Sequence, residues 1–275
     1  MANSRNWLRG FVAALSLALG ASAAGAQEKD RSIEEIERYR QMLQDGNPAE
    51  LLVVRGEELW KTKRGPKNAS LEQCDLGLGP GVVKGAYSQL PRYFADVAEV
   101  MDFEARLVHC MVTLQGFDRA AVVKSPFSGA GQRQTDIESI TTFVVEQSRG
   151  MKIAVPHSHP KEKAAFDRGK QLFYMRAGPY DFACATCHSA DGQRIRLQEL
   201  PNLEKPEPAQ RAFATWPAYR VSQGALRTMQ WRINDCFRQQ RWPEPVFISQ
   251  GTIDLITFLG VNANGGKMDS PAIKR

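Results

Sequence analysis

The sequence is poor in cysteine, in long apolar runs and in nucleotide-binding motifs. Its five cysteines among 275 residues are too few for a disulfide-dense scaffold, and the odd number leaves at least one sulfur outside ordinary intramolecular pairing. No stretch reaches the roughly 20 apolar residues of a transmembrane helix. There is no Walker-type loop or Gly-x-Gly-x-x-Gly turn, and the basic residues form no stripe interleaved with aromatics. We therefore expect no membrane span, no nucleotide chemistry and no nucleic-acid partner.

The first 26 residues have the composition of an export signal. Arg5 and Arg9 precede a short apolar run at 11–19, and the small residues at 24–26 form a cleavage site that ends at Ala26. A membrane anchor is the alternative. Cleavage would lower the formal charge from +6 to +4, because two arginines and no acidic residue are removed. The remaining chain has the size of one or two domains and is expected in the periplasm, where disulfides persist.

The segment 184–188 carries the most specific motif in the chain. It reads Cys-Ala-Thr-Cys-His, the Cys-x-x-Cys-His pattern of covalent c-type haem attachment. In this pattern Cys184 and Cys187 add to the haem vinyl groups, and His188 presents its imidazole to the iron. A redox-active Cys-x-x-Cys is the alternative, but it would require a βαβ context that this region lacks. The sequence thus predicts one covalently bound haem c.

The residues around this motif recur earlier in the chain. An Arg-Gly-x-x-Leu-aromatic segment at 168–173, followed by Gly-Pro and then a cysteine, matches the segment at 55–60 after a shift of 113 residues. In this register Leu71 takes the place of the first haem cysteine, and Asp75 takes the place of the histidine. The first copy should therefore bind no haem.

A second recurring block is shifted by 126 residues. Arg106 precedes Cys110 by four positions, Arg232 precedes Cys236 by four, and a Pro-x-Tyr segment begins 19 residues before each cysteine. The larger shift implies a 13-residue insertion in the second copy. The segment 190–216, rich in proline, arginine and glutamine, is interpreted as a surface loop that contains this insertion.

These repeats predict an all-α fold with two tandem cytochrome c-like domains. The first domain is expected at 51–155 and the second at 156–275, after an N-terminal helical extension at 27–50. Helices are predicted around 57–60 and 170–173, at 102–113 and 225–238, and at 134–145 and 252–259. Two further helix starts are predicted from a capping box, Ser32-x-x-Glu35, and from Asn47-Pro48.

The remaining three sulfurs allow more than one assignment. Cys74 and Cys110 could form a disulfide across 36 residues where a haem was lost, or they could be two free buried thiols. Cys236 lies where a small cytochrome usually has a distal methionine. We prefer Cys236 as the axial ligand, because the first copy also has a cysteine at this point. Met229 or Met268 as ligand, or an inert buried cysteine, are the alternatives.

Arginines are concentrated around Cys236. Arg232 lies four residues earlier on the same helix face, so its guanidinium would lower the pKa of the thiol. Its planar donors also suit a sulfonate or another oxyanion. A solvated arginine face is the alternative. The cluster, set against the single acid Asp235, comprises Arg220, Arg227, Arg232, Arg238 and Arg241.

The tandem cytochrome pattern, the motif at 184–188 and the Arg232-x-x-x-Cys236 pair together resemble the SoxA family. This family comprises the catalytic subunits of the SoxAX cytochromes of bacterial thiosulfate oxidation. The resemblance covers the whole chain after the signal. Many members carry a haem in both domains, whereas the first domain of this chain lacks the ligands. The chain is therefore similar to the one-haem branch, which implies a Cys74–Cys110 disulfide.

The resemblance also implies an activity, that of an L-cysteine S-thiosulfotransferase. Thiosulfate would be joined oxidatively to a cysteine of the carrier protein SoxYZ, and two electrons would pass to cytochrome c. Cys236 would be the reactive cysteine, able to carry a persulfide, and would ligate the haem iron together with His188. Arg232 would bind the substrate. Because one haem takes one electron, a SoxX-type cytochrome subunit would complete a heterodimer.

Two other hypotheses fit parts of the sequence. The chain could be a periplasmic one-haem electron carrier with a methionine as the distal ligand and a docking domain. A copper site at His157 and His159 is a further idea, although a His-Ser-His segment flanked by prolines is more often an ordinary loop.

Overall fold

The computed structural model describes Arg38, Met42 and residues 46–195 and 198–274. The export signal, its cleavage site and the capping box at Ser32 lie outside these residues. Asn47–Arg275 forms one compact unit. Within the described residues, no helix combines the length and the apolar character needed to cross a membrane.

Helices provide most of the secondary structure. From residue 46 onward, the α-helices are α1 (Ala49–Lys61), α2 (Phe103–Thr113), α3 (Arg119–Val123), α4 (Asp136–Glu146), α5 (Pro160–Tyr174), α6 (Cys184–His188), α7 (Pro206–Ala214), α8 (Met229–Gln239) and α9 (Gln250–Asn262), and Tyr87–Gln89 and Val221–Gln223 are short 3-10 helices. The strands are β1 (Arg92–Phe94), β2 (Glu99–Met101), β3 (Arg194–Ile195), β4 (Gln198–Glu199), β5 (Ala218–Arg220), β6 (Ala225–Arg227) and β7 (Ala272–Lys274). The helical prediction is confirmed, but "all-α" omits three small sheets, ordered β1-β2, β3-β4 and β6-β5-β7.

Two long helix pairs form the core, and glycine sets how closely each pair approaches. A Cβ atom at Gly56 of α1 would lie 2.1 Å from the Ser139 carbonyl oxygen of α4. A Cβ atom at Gly169 of α5 would lie 2.0 Å from the Asp254 carbonyl oxygen of α9. Only glycine permits this backbone contact. The helix starts at Asn47-Pro48 much as predicted, except that Pro48 is the N-cap and Ala49 is the first helical residue.

Each pair is completed by an aromatic contact at the end of the recurring Arg-Gly-x-x-Leu-aromatic segment. Trp60 packs on Phe143 with ring centroids 6.3 Å apart, and Phe173 packs on Phe258 with centroids 5.1 Å apart. Trp60 and Phe173 are both buried. The sequence repeat therefore corresponds to the same helix crossing, formed twice from residues in the same order.

The second repeated block is a short hairpin followed by a helix. β1 pairs with β2 and β5 pairs with β6, both antiparallel, and the two hairpins are 126 residues apart. Asp102 caps α2 and Thr228 caps α8, each through a side-chain oxygen that accepts a backbone N–H three residues on. The helix predicted at 225–238 therefore begins later than expected, because Ala225–Arg227 is the strand β6.

The segment 190–216 was expected to be a surface loop, and this expectation is wrong in part. It contains the β3-β4 hairpin and the helix α7, which begins with Pro206 in its first turn, where the missing N–H costs no hydrogen bond. Phe213 and Trp216 are buried. The C-terminal part of this segment therefore belongs to the core.

A buried polar seam joins residues from the two sequence repeats. Its members are Asp102, Glu104 and Glu138 from the first repeat and Arg227, Thr228 and Gln230 from the second. Arg227 Nη1 donates to the Ser128 carbonyl at 2.6 Å and lies 3.2 Å from Glu138 Oε1. Gln230 Nε2 donates to Asp102 Oδ2 at 2.6 Å. The seam thus buries three carboxyl groups, of which Glu138 pairs with the Arg227 guanidinium and Asp102 accepts from Gln230.

Glu104 is the least satisfied member of this seam. Its Oε1 is buried and has no hydrogen-bond partner among the described residues. Burial raises the pKa of Glu104 well above its ordinary value, and the charge of Asp102 raises it further. Burial likewise raises the pKa of Asp102 to about 6. The folded state therefore favours the protonated form of these acids.

The substitution Glu104→Gln is expected to stabilise the protein increasingly as the pH rises above about 5. The folded pKa of Glu104 is raised above the ordinary 4.5, so its stabilising contribution is complete below that pH and is lost as the pH rises. Glutamine does not ionise and avoids this loss. Urea denaturation of the haem-loaded protein between pH 5 and 8 measures the difference. The exposed Glu58→Gln serves as the control, and an equal gain for both variants at every pH would contradict the prediction.

Candidate functional site

The Cys-x-x-Cys-His motif forms the short helix α6, and a backbone carbonyl orients its histidine. His188 Nδ1 lies 2.9 Å from the Pro201 carbonyl oxygen, in the segment between β4 and α7. Since a carbonyl can only accept, Nδ1 carries the proton, and Nε2 is left with the lone pair that binds a metal. Cys184 and Cys187 are free and half-buried. Sequence reasoning did not identify Pro201, and its only signal was a proline shortly after the motif.

Cys236, on α8, comes within electrostatic reach of this motif from another part of the chain. Burial raises the pKa of its thiol, and the thiols of Cys236 and Cys187 interact electrostatically. Burial also raises the pKa of Cys184 to about 12, and the charge of Cys236 adds to this effect. The structure therefore brings together the three cysteines that are not in a disulfide, although 49 residues separate Cys187 from Cys236.

Arg232 lies within electrostatic reach of both the histidine and the third thiol. Burial lowers the pKa of His188, and the positive charge of Arg232 lowers it further. Arg232 also acts to lower the pKa of Cys236, as the sequence predicted, but burial outweighs this effect and the pKa is raised. Arg232 Nη1 is 2.9 Å from Asp235 Oδ2, and Arg238 pairs with the other oxygen of the same carboxylate. Two arginines thus share one acid beside the thiol.

The predicted arginine cluster divides into two groups. Arg227 does not reach the thiol. It is buried in the polar seam, where it pairs with Glu138, and its guanidinium lies over the ring of Trp231 on α8, 4.6 Å from the centroid. Arg220 is half-buried, and both Arg232 and Cys236 influence its pKa, which burial lowers. Arg220 and Arg232 are therefore the two arginines that the structure brings to Cys236.

The residues around the motif fit a covalently bound haem. Two thiols and an imidazole with a free Nε2 form the donor set of a c-type haem, and a third thiol is available for the iron. Gly178, with a φ of +71°, packs so closely on Trp242 that a Cβ would lie 2.5 Å from the indole. Trp242 Nε1 is buried and has no acceptor in the described part of the chain, so it could donate to a carboxylate of a bound group. Tyr180 and Phe182 add exposed aromatic surface next to the motif.

The corresponding region of the first repeat is filled by protein. Cys74 and Cys110 form the expected disulfide, with their Cα atoms 5.7 Å apart. Leu71 is fully buried. The Asp75 carboxylate accepts from two backbone N–H groups of the following turn, at 2.6 and 3.0 Å. Arg106 Nε donates to the Asp75 carbonyl at 2.6 Å. The groups that replace the haem ligands are therefore engaged in local structure.

Comparison with known proteins gives a consistent family. The family model described as "SoxA/TsdA, cytochrome c domain" matches residues 55–153, the repeat without the Cys-x-x-Cys-His motif. The L-cysteine S-thiosulfotransferase subunit SoxA of Hydrogenophilus thermoluteolus is 52% identical over 94% of this chain and 94% of its own length. The subunit of the same name from Hydrogenobacter thermophilus is 31% identical, over 93% and 94% of the two chains.

The chain belongs to the SoxA family. The crystal structure of SoxXA from P. pantotrophus has the same fold, with a TM-score of 0.70 over 86% of this chain and 84% of that chain, at 23% sequence identity. For this SoxA chain the helical cytochrome c fold predicted from sequence is thus confirmed.

The alternative ligand residues of the SoxA chain lie in other surroundings. Met229 begins α8 and lines a small cavity that it shares with Glu104, Phe213 and other buried residues. Met268 is buried, and its backbone N–H donates to the Met151 carbonyl. Nothing in these contacts directs either sulfur toward the motif.

The two histidines considered for copper have structural roles. The His159 ring accepts the Lys161 N–H at 3.2 Å, which caps α5, and it stacks on Tyr93 at a centroid distance of 3.8 Å. His157 packs against Phe166. In the described ranges, no three or more histidine, cysteine or acidic side chains form a group that could hold a metal ion.

Proposed function

We propose that this SoxA chain is the catalytic subunit of an L-cysteine S-thiosulfotransferase. The observation that carries the proposal is the position of the Cys236 thiol, which lies within electrostatic reach of both motif cysteines and of Arg232. A simple electron carrier has no need of a free thiol and an arginine at this place. The relatives named for this activity match almost the entire length of the chain.

We propose further that the chain consists of two cytochrome c-like domains, at 51–155 and 156–275, and that only the second holds a haem. The recurrence of the helix crossing and of the hairpin-helix block supports two domains. The Cys74–Cys110 disulfide and the buried Leu71 support the absence of haem from the first. The signal at 1–26 supports export to the periplasm.

One haem c would be held by four side chains of the second domain. Cys184 and Cys187 would form the thioether bonds, and His188 and Cys236 would be the axial ligands. When bound, the haem supplies a one-electron acceptor next to the reacting sulfur. The Pro201 carbonyl fixes the ring of His188 and the position of its proton.

The reaction joins two reduced sulfurs. A carrier thiol and thiosulfate form a new S–S bond, and two electrons and one proton leave: R–SH + S₂O₃²⁻ → R–S–S–SO₃⁻ + H⁺ + 2e⁻. Cys236, as a thiol or a persulfide, would hold the transferred sulfur. Arg232 would bind the sulfonate end, since a planar guanidinium suits an oxyanion. The second electron requires a second acceptor, which a SoxX-type cytochrome subunit would supply before both electrons pass to cytochrome c.

Two measurements on the purified protein test this function. Intact mass is expected to show one haem, one disulfide and, where present, an additional sulfur on Cys236. With the SoxX-type subunit, thiosulfate and the SoxYZ carrier, the complex is expected to add one thiosulfate to the carrier cysteine as cytochrome c is reduced. A long-wavelength absorption band of Fe–Met bonding, together with no modification of the carrier, would instead support the electron carrier.

A further inference from the structure

The first repeat shows which side chains contact the arginine that lies four residues before the repeated cysteine. Arg106 of α2 corresponds to Arg232 of α8, with 126 residues between them. The Arg106 guanidinium lies over the ring of Phe94, at the end of β1, with its Cζ atom 4.2 Å from the ring centroid. The same guanidinium pairs with Asp96 at 2.7 Å. In this repeat the cation is therefore satisfied by an aromatic face and a carboxylate.

The second repeat places an arginine where the first has this ring. Arg220, at the end of β5, follows Phe94 by the same 126 residues. The register of the two hairpins agrees, because Phe94 pairs with Glu99 and Arg220 pairs with Ala225, each as the last pair before the turn. By this correspondence Arg220 takes the position relative to Arg232 that Phe94 has relative to Arg106. The positive charge of Arg232 acts on Arg220, as this arrangement requires.

The two guanidinium groups leave uncompensated positive charge near Cys236. Asp235 is already shared by Arg232 and Arg238. Arg220 has no carboxylate within salt-bridge distance in the part of the chain that the structure describes, and its Nε is buried without a hydrogen-bond partner. A buried donor that lacks a partner costs free energy, and an oxyanion would satisfy it. The thiol of Cys236 lies within electrostatic reach of the same two cations.

We propose that Arg220 is a second substrate-binding residue, which together with Arg232 holds the sulfonate of thiosulfate at Cys236. The inference rests on the proposed function and assigns Arg220 to the same site. Two guanidiniums match the double negative charge of thiosulfate, and holding the sulfonate leaves the terminal sulfur for reaction. The first repeat has Phe94 at this position, as expected for a repeat that binds no such anion.

The test compares Arg220→Gln, Arg220→Lys and Arg220→Phe in the haem-loaded complex with its SoxX-type subunit. Arg220→Phe recreates the Phe94–Arg106 arrangement. The matched control is Arg211→Gln, which removes one charge from an exposed arginine that pairs with Glu207 on α7. Thiosulfate affinity is measured by calorimetry, and KM and kcat are measured with the carrier. Haem content and reduction potential are measured for every variant.

The glutamine and phenylalanine variants are expected to raise the Kd for thiosulfate and its KM by at least about tenfold, with haem content unchanged. Lysine should recover part of this loss, and Arg211→Gln should match the wild type. The proposal is overturned if Kd and KM stay within about twofold, or if only the reduction potential or haem content changes, which would make Arg220 a haem-binding residue. If the wild type binds thiosulfate but does not modify the carrier, the proposed function fails, and the calorimetry still decides the role of Arg220.

Discussion

The substitution Cys236→Ala is expected to abolish transfer of thiosulfate to the carrier while the haem remains covalently attached. The thioether bonds depend on Cys184 and Cys187, which this change does not touch. The reacting sulfur, in contrast, is lost entirely, and removal of a reacting group typically lowers turnover by more than about a thousandfold. The haem spectrum should change with the loss of the thiolate ligand. Turnover of cytochrome c reduction, carrier mass and haem content together measure the outcome.

A control on the same helix separates this effect from damage to α8. Asn234 is two residues from Cys236 and therefore points to a different face of the helix, since successive residues are rotated by about 100°. Asn234→Ala should retain haem and activity. If Cys236→Ala kept more than a small part of the activity of this control, Cys236 would not be the reacting sulfur.

The substitution Arg227→Met is expected to lower the free energy of unfolding by about 3–5 kcal/mol. Arg227 and Glu138 have exposed side-chain fractions of 3% and 0%, so methionine would leave a buried carboxylate without its counter-ion. The Ser128 carbonyl would also lose its donor. Burial already raises the pKa of Glu138, and loss of the neighbouring guanidinium would raise it further. Denaturant unfolding of the haem-loaded protein measures the change.

A double variant tests whether the loss comes from the unpaired acid. Adding Glu138→Gln to Arg227→Met removes the orphaned charge, so the double variant should be more stable than Arg227→Met alone. Arg211→Met at the surface should change stability by no more than about 0.5 kcal/mol. Equal losses for the buried and the exposed arginine would contradict a structural role for the seam.

The features that carry local chemistry were predictable from sequence. The Cys-x-x-Cys-His spacing alone identifies a segment for haem attachment. The recurrence at a shift of 126 residues singled out Arg232 and Cys236, and their spacing of four residues predicts that they share one helix face. The Cys74–Cys110 disulfide was one of two assignments that the repeat left open, and the resemblance to the one-haem branch implied it.

The features that depend on tertiary pairing were not predictable. Ala225–Arg227 has a composition that favours a helix, but it pairs with a three-residue strand too short to give an alternating pattern. The different surroundings of Arg220 and Arg227 could not be predicted from sequence distance, since they depend on which side chains from elsewhere in the chain pack against each arginine. The helix α7 was missed because its prolines signal a loop, although both lie in the first turn.

The glycines at the two helix crossings have a consequence for recognising other chains of this kind. Under the proposed loss of haem from the first repeat, Leu71 and Asp75 have taken the places of two haem ligands. Gly56 cannot be replaced in this way, because any side chain would meet the backbone of the opposite helix. The Arg-Gly-x-x-Leu-aromatic helix is therefore expected to persist in a domain that no longer binds haem. Ancestral cytochrome domains that no longer bind iron should be traceable by this helix after every ligand has changed.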